Sequence, residues 1–540
     1  MKTARQSLGI HPALVFVLIF AAIFALHAPL LRLPCFWDEA GYYIPAARDL
    51  LLTGSLIPRS TPSNAHPPLV MVYLAMWWKL AGYTPLVTRT AMLLVAAFSL
   101  LGVFRLAQRV ANEEVALASV LCTALYPVFF AQSSLAHVDL AAAGLIFWGL
   151  HAYVENRRAA TALWFSCAAL AKETAILGPL ALFAWECCGS SRLRLAESSE
   201  RRGGGAKDKF LLLVPLIPLG AWYGFHYFCT RYVFGNPEFF RYNVQATLHP
   251  LRVLLALLIR LWQTFGYLGL SLLTLGALFA MWRPPLKENG VERPRISLEV
   301  QYAFLAVIAV YVVAMAILGG ALLARYLLPA TPLVIIICIS TLWRRARLWL
   351  AVVTVVALAF IWGWFVNPPY GFSPEDNLAY RDYIRLHQRA ESFLEARYPM
   401  ARVLTAWPAT DELTRPYLGY ITRPMRVVQI ENFTAEQMLA AADLRSNFDV
   451  AMVFSTKYEP RHSLLERWRT WQQWKTRYFG YYRDVPPAAA AQILGGRLVY
   501  MEARNGQWVG IIEMEQTIEA NAHAENPAIR PESHKTDKQL

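Results

Sequence analysis

Two adjacent carboxylates, Asp38 and Glu39, follow the first apolar run of the chain in the segment FWDEAGYY. They are flanked by Trp37, Tyr42 and Tyr43, and aromatic side chains of this kind gather where a membrane meets water. A carboxylate at that level is well placed to take a proton from a hydroxyl near a lipid headgroup. The alternative is structural, with Asp38 capping the first amides of the helix that follows. The sequence leaves both interpretations open.

Five further side chains with suitable chemistry lie at the ends of apolar runs. His66 precedes a double proline in NAHPPL, and His137 and Asp139 begin a run in SSLAHVDLAAAG. Lys172 interrupts another run, and Arg325 opens a later one in GGALLARYLLPATP. A guanidinium fork suits a phosphate, and a charge near the membrane is costly unless it has a function. The structural alternatives are an interfacial histidine, a helix cap and an arginine that reaches the headgroups.

The composition predicts an integral membrane protein. Of the 540 residues 56% are hydrophobic and 16% charged, with a mean hydropathy of +0.34, which exceeds what a soluble core can bury. The net charge of +14 fits cytoplasmic loops and anionic headgroups better than nucleic acid. The cysteines show no disulfide framework or zinc spacing, and the sequence contains no GxGxxG or Walker motif for a nucleotide.

Eleven apolar segments are long enough to be predicted as membrane spans. The first follows Lys2 and Arg5 and lacks a small-residue cleavage site, so we expect a retained anchor rather than a signal peptide. The predicted spans are residues 11–31, 86–105, 114–131, 139–154, 159–171, 174–188, 209–230, 263–282, 300–319, 326–342 and 348–366.

Basic loops alternate with the predicted spans and place the N-terminus in the cytoplasm. Residues 159–188 have basic flanks at both ends, which two short spans meeting at Lys172 would explain. The alternative is a single long span. Glycines 203–205 predict a flexible cytoplasmic linker.

The predicted fold is a polytopic α-helical membrane protein with a C-terminal extracytoplasmic α/β domain. Residues 1–366 form the membrane domain, with long outward loops at 32–85 and 231–262. Residues 367–515 read as alternating strands and helices, in segments such as RVLTAW, MRVVQI and FDVAMVF. Residues 516–540 are polar and predict a disordered tail.

On this topology Asp38, Asp139, Lys172 and Arg325 all face the outer leaflet. Such a cluster suits an anionic phosphate at the membrane surface, with a carboxylate acting on a neutral hydroxyl.

The segments FWDEAGYY, HPPL, HVDLA, ALAKET and RYLLPATP, in this order, resemble the C-type (GT-C) glycosyltransferases. They are most similar to glycosyltransferase family 39, which includes protein O-mannosyltransferases and bacterial aminoarabinose-lipid A transferases. The resemblance runs from Phe36 to Pro332, and VLTAWPATDELTRPYLGY is similar to the extracytoplasmic domain of bacterial relatives.

The resemblance implies transfer of a monosaccharide from a polyprenyl-phosphate donor, with inversion at the anomeric carbon. It implies that Asp38 is the general base, that Asp139 is a supporting second-loop acid, and that Lys172 and Arg325 hold the donor phosphate. His66 stands where several relatives carry a lysine, so its phosphate role is less firmly implied.

We assign Glu39 to the catalytic carboxylates and Trp37, Tyr42, Tyr43 and His137 to the donor and acceptor pocket. No obligatory metal or other cofactor is expected. The partners are membrane lipid, the lipid-linked donor and an acceptor lipid, protein or glycan, and the expected location is the inner (plasma) membrane.

A transporter or lipid flippase is the alternative, although no internal repeat is evident. A noncatalytic scaffold is a third possibility.

Overall fold

The computed structural model describes residues 11–188, 208–235, 247–318, 320–460 and 467–514. It divides into two units, the first comprising Met1–Arg381 with Pro460–Tyr481 and the second Asp382–Glu459 with Tyr482–Leu540. The predicted linker at 203–205 and the predicted tail at 516–540 lie outside the described residues.

The first unit is built from helices, joined by short turns and by a small hairpin of β1 (Lys287–Glu288) and β2 (Val291–Glu292). In chain order its helices are α1 (Pro12–His27), α2 (Ile44–Thr53), α3 (Leu69–Ala81), α4 (Pro85–Val110), α5 (Glu113–Leu125), α6 (Pro127–Gln132), α7 (Val138–Val154), α8 (Arg158–Ala171), α9 (Leu177–Cys188), α10 (Leu216–Thr230), α11 (Pro250–Phe265), α12 (Leu270–Met281), α13 (Leu298–Ile317), α14 (Thr331–Arg345) and α15 (Trp349–Phe365).

Local sequence explains where several helices begin. Side chains of Thr84, Asn112 and Ser297 accept hydrogen bonds from the first free amides of α4, α5 and α13. Five helical segments are long and apolar enough to cross a membrane, namely Pro12–Leu30, Pro85–Val110, Lys209–Thr230, Pro250–Met281 and Leu298–Ile317. Shorter apolar helices occupy several other predicted spans. The count of eleven spans stays a prediction.

Helix breaks change the predicted bounds in three places. Lys172 has an extended backbone between α8 and α9, so residues 159–188 form two helices, as the two-span interpretation requires, and not one continuous helix. That each of them spans the membrane stays a prediction. Tyr126 separates α5 from α6 within predicted span 114–131. The predicted span 263–282 is also divided. Its first residues belong to α11, which begins at Pro250, and a turn around Leu268, with a φ of 48°, separates α11 from α12.

Helix α7 lies at the centre of the first unit and packs against α4 and α8. Its small residues permit close contact. A Cβ atom added at Gly144 would lie 2.0 Å from Ser99 Oγ of α4, and one at Gly149 would lie 2.8 Å from the Phe165 ring of α8. This packing fixes the N-terminal end of α7, where His137 and Asp139 lie.

The remaining helices are α16 (Ala379–Arg397), α17 (Ala409–Thr414), α18 (Ala435–Asp443), α19 (Arg469–Phe479) and α20 (Pro487–Leu494). The chain enters the second unit within α16, and α19 belongs to the first unit. The second unit has a five-stranded mixed sheet in the order β4-β3-β5-β7-β6, with the strands predicted in RVLTAW, MRVVQI and FDVAMVF present. The strands are β3 (Arg402–Ala406), β4 (Arg426–Ile430), β5 (Val450–Phe454), β6 (Gly496–Arg504) and β7 (Gln507–Met514).

The sheet is parallel on one side and antiparallel on the other. Val403 of β3 pairs with Val427 of β4 and with Val450 of β5, both in parallel. Strand β7 pairs antiparallel with β5 and β6. Strand β5 is buried at all of its positions, as expected for an apolar central strand.

Candidate active site

Arg325 is the centre of a buried ionic cluster in the first unit. Its guanidinium binds Asp38 through Nη2 and lies 2.6 Å from Glu375 through Nη1 and 3.4 Å from Asp139 through Nε. The arginine side chain is 2% exposed. One planar cation therefore holds three carboxylates that come from distant parts of the chain.

Asp38 is the most accessible carboxylate of this cluster, with a side chain that is 20% exposed against 3% for Asp139 and 4% for Glu375. Trp37 precedes it with a φ of 46°, an unusual conformation for a bulky residue, and so turns the chain sharply before a π-helical turn at Glu39–Tyr43. Within the described residues Asp38 makes no capping hydrogen bond. The helix-cap interpretation of Asp38 is therefore wrong.

Glu39 has a different environment from Asp38 although the two residues are adjacent. Its two oxygens accept hydrogen bonds from Arg89 at 3.1 and 3.0 Å and from the backbone amides of Phe36 and Ala136 at 2.7 and 2.5 Å. Arg89 also donates to the backbone carbonyl of Ser134. With its acceptors occupied and 1% of its side chain exposed, Glu39 holds the first loop against α4 and the turn before α7. These contacts suit a positioning role, and the catalytic role of Glu39 stays a prediction.

Lys172 lies opposite Arg325 across Asp139. Its ammonium donates to Asp139 at 2.5 Å and sits 4.1 Å from the centre of the Tyr326 ring. The break between α8 and α9 brings this charge to the end of α7, because Lys172 is the last residue before the chain turns. Asp139 is thus shared by two cations.

His137 and Glu375 complete the cluster. His137 Nδ1 lies 2.8 Å from Arg325 Nη1 and 2.8 Å from Gln132 Oε1. Burial and the adjacent guanidinium hold the pKa of His137 well below its usual range, which favours the neutral imidazole. Burial raises the pKa of Glu375 to about 8, and the charge of Arg325 opposes that rise.

Sequence reasoning missed Glu375, which follows the last predicted span in the segment FSPEDN. A signal was available, because Glu375 and Asp376 are adjacent carboxylates just beyond an apolar run, as Asp38 and Glu39 are. Asp376 accepts a hydrogen bond of 2.6 Å from Tyr267. Burial raises the pKa of Asp376 to about 6.

His66 is held beside the cluster by an acidic partner. Its Nδ1 lies 2.7 Å from Glu173 Oε2, and its ring lies 5.9 Å from Tyr43, which is also 5.9 Å from His137. Tyr43 therefore connects two of the predicted pocket residues, whereas Tyr42 is half-buried beside it. A groove next to His66 is lined mainly by apolar side chains, including Leu50, Leu56, Met71 and Trp222.

Arg260 is a buried cation that sequence reasoning also missed. Its guanidinium lies 5.7 Å from the Tyr326 ring and donates to the backbone carbonyls of Leu323 and Met315 and to Gln263. Among the residues that the structure describes, the hydrogen-bond partners of Arg260 are backbone carbonyls and one side-chain amide, none of which bears a charge. Its helix was predicted to lie largely in a loop, so no pattern in the sequence placed Arg260 near Tyr326.

The chain is similar to known proteins in part of its sequence and in its overall fold. Residues 65–198, about a quarter of the chain, match a family model described as dolichyl-phosphate-mannose-protein mannosyltransferase. The crystal structure of ArnT from Cupriavidus metallidurans bound to undecaprenyl phosphate is similar with a TM-score of 0.53 and 13% identity, over 92% of this chain and 97% of that chain. The chain therefore shares the overall fold of ArnT.

The apo structure of ArnT from the same organism gives a TM-score of 0.51 at 15% identity, over 93% of this chain and 98% of that one. A weaker likeness, with a TM-score of 0.44 and 12% identity, extends over 81% of this chain and 67% of an oligosaccharyltransferase from Archaeoglobus fulgidus. No curated protein sequence matches the chain. The resemblance predicted from the loop motifs is confirmed, and the fold shared with ArnT together with the apolar helices indicates a multi-pass membrane protein.

Proposed function

We propose that the protein is an inverting membrane glycosyltransferase that moves a monosaccharide from a polyprenyl-phosphate donor to an acceptor hydroxyl outside the cytoplasm. The observation that carries the proposal is the clustering of Asp38, Asp139 and Glu375 around Arg325, with Asp38 left accessible. A site of this kind provides one carboxylate that a substrate can reach and a rigid charged frame behind it.

Asp38 acts as the general base. In the proposed step its carboxylate accepts the proton of the acceptor hydroxyl while that oxygen attacks the anomeric carbon of the sugar. The bond between the anomeric carbon and the phosphate oxygen breaks, and the polyprenyl phosphate leaves with the electron pair. Arg325 orients Asp38, since its fork is fixed by Asp139 and Glu375 on its other edges.

Cations beside Tyr326 stabilise the leaving phosphate. Lys172 and Arg325 were predicted for this role, and in the structure both already contact carboxylates. A phosphate at either of these cations would have to displace a carboxylate, whereas Arg260 has backbone and amide partners that bear no charge. We therefore assign the phosphate to the neighbourhood of the Tyr326 ring, with Arg260 as its main cation and Lys172 and Arg325 beside the same ring.

The lipid chain of the donor requires an apolar path. The groove beside His66 has suitable side chains but room for only a small group, so the support comes from ArnT, whose fold this chain shares and which was crystallised bound to undecaprenyl phosphate. We assign the protein to the inner (plasma) membrane with its second unit outside the cytoplasm. Its acceptor is a lipid, a protein or a glycan hydroxyl.

The test compares Asp38→Asn with a matched acidic substitution remote from the cluster. Glu299 is exposed in the first turn of α13, so Glu299→Gln is the control. Mass spectrometry of envelope lipids and glycoproteins from a deletion strain identifies the molecule that loses one sugar. Restoring the gene should return that sugar with the Glu299→Gln protein and not with the Asp38→Asn protein at equal expression. Equal restoration by both variants would refute the assignment of Asp38, and an unchanged envelope would refute the transferase.

A further inference from the structure

Three ionisable side chains lie together inside the second unit. His387 and Glu391 are one turn apart on α16, and Glu412 lies on α17. Their side chains are 1%, 0% and 0% exposed. One potential ligand atom from each residue lies within 4.8 Å of the other two. The spacing of four residues puts His387 and Glu391 on the same helix face. The carboxylate of Glu412 on α17 lies against that face.

The polar atoms of this cluster are incompletely satisfied by protein. His387 Nδ1 lies 2.6 Å from Glu412 Oε2 and 3.7 Å from Glu391 Oε1. Both oxygens of Glu391, the Oε1 of Glu412 and the Nε2 of His387 have no hydrogen-bond partner among the described residues. A buried carboxylate without a donor or a cation is strongly unfavourable, so an additional positive group is expected there.

The protein supplies no such cation from its described part. The ion pairs found there for Glu391 and Glu412 involve His387 alone, and aromatic rings enclose that imidazole, with Tyr383 stacked at 3.9 Å and Phe454 at 4.6 Å. With both carboxyl groups ionised, the three side chains carry a net negative charge in a poorly solvated environment. A divalent cation would neutralise it and use the unpartnered oxygens as ligands.

We propose that His387, Glu391 and Glu412 bind a divalent transition metal ion that fastens α16 to α17. Mixed imidazole and carboxylate ligands suit zinc or manganese, and nitrogen and oxygen atoms bind zinc at about 2.0–2.2 Å. The complete burial of all three side chains fits a structural ion, since a catalytic ion needs access for a substrate. This proposal concerns the second unit and does not depend on the proposed sugar transfer.

The competing explanation is that Glu391 and Glu412 share a proton and need no metal. The two explanations differ for Glu391→Gln, because a glutamine amide can donate to Glu412 and replace the shared proton, whereas it is a poor metal ligand. Under metal binding this variant loses the ion, and chelation no longer affects its stability. Under proton sharing it is at least as stable as the wild type and no metal is present in either protein.

The experiment uses the untagged full-length chain in detergent. Elemental analysis after equilibrium dialysis against Zn²⁺ should give about one ion per chain, as expected for a single closed site. Chelation should lower the melting temperature, and Zn²⁺ should restore it. Glu436→Gln, which alters an exposed carboxylate of the same unit, should keep the ion.

His387→Gln and Glu391→Gln should each lose the ion and the response to chelator. If either variant fails to fold, titration of the chelated wild-type chain with Co²⁺ supplies the answer, because a four-coordinate bound ion absorbs visible light much more strongly, and at longer wavelength, than the hydrated free ion. Zinc retained by Glu391→Gln at the wild-type stoichiometry would overturn the proposal. So would a wild-type chain that takes up neither Zn²⁺ nor Co²⁺.

Discussion

Arg325 and Asp38 form an ion pair although 287 positions separate them in the chain. Asp38 follows α1, and Arg325 lies in the short turn before α14. The pair therefore joins the beginning and the end of the helical unit at one point. Because the same guanidinium also contacts Asp139 and Glu375, the geometry of the accessible carboxylate depends on a single planar cation.

Replacing Arg325 by lysine should reduce transfer about 100-fold or more, although the positive charge is kept. An ammonium is a point charge and cannot hold three carboxylates in a fixed plane, so Asp38 would lose its orientation. The measurement is the initial rate of sugar transfer by the purified protein. Arg347→Lys, at an exposed position, is the matched control and should retain activity. A rate for Arg325→Lys within a few-fold of that control would contradict the orienting role.

Substitutions of the adjacent carboxylates Asp38 and Glu39 should have different effects, one on activity and the other on stability. Glu39→Gln leaves Arg89 buried without its anionic partner and should destabilise the protein by about 3 kcal/mol. Asp38→Asn should abolish transfer with a much smaller change in melting temperature, because Arg325 keeps Asp139 and Glu375. Thermal unfolding in detergent, followed by tryptophan fluorescence, measures the difference. Equal melting temperatures for the two variants would show that Glu39 does not hold the loop.

The contact of α7 with α4 should be sensitive to one methyl group. In Gly144→Ala the new Cβ would lie 2.0 Å from Ser99 Oγ and 2.8 Å from Ser99 Cβ, which forces the helices apart and should cost about 1–3 kcal/mol. Adding Ser99→Gly should recover part of the loss, since it removes both atoms. Gly220→Ala on α10 meets nothing within 4 Å and should be neutral or slightly stabilising. The unfolding temperatures of the four proteins, the double variant included, are compared.

The raised pKa of Asp376 predicts a pH dependence of stability. Burial moves it from 3.8 to about 6, so between those values the folded state binds more protons than the unfolded state. The stability that the protonated Asp376 contributes is therefore lost as the pH rises from about 4 to about 6, and above that range this group causes no further change with pH. The wild type should have a higher melting temperature at pH 5 than at pH 7, because Asp376 contributes on the order of 1 kcal/mol more to the free energy of unfolding at pH 5.

Asp376→Asn removes the titrating group and preserves an oxygen that can accept from Tyr267. The difference in melting temperature between pH 5 and pH 7 should therefore shrink in this variant. Asp443→Asn, in the second unit, serves as the control and should keep the wild-type difference. An identical pH response in all three proteins would show that Asp376 titrates outside this range.

The sequence by itself determined the type of protein and most of its candidate chemistry. Apolar runs predicted helices, because a membrane leaves the backbone few other ways to satisfy its hydrogen bonds. The break at Lys172 followed from basic residues on both sides of one apolar stretch. Asp38, Asp139, Lys172 and Arg325 could be chosen because each charge lies at the end of such a run, and the structure brings all four together.

The tertiary structure alone decided how those charges are divided among partners. Asp38 and Glu39 are neighbours with the same functional group, and the turn at Trp37 directs one to Arg325 and the other to Arg89. Hydrophobic periodicity carries no information about contacts across 287 positions, so the three carboxylates around Arg325 could not be read from it. The same holds for the buried cluster of His387, Glu391 and Glu412, since two residues share a helix face and the third arrives from another helix through packing.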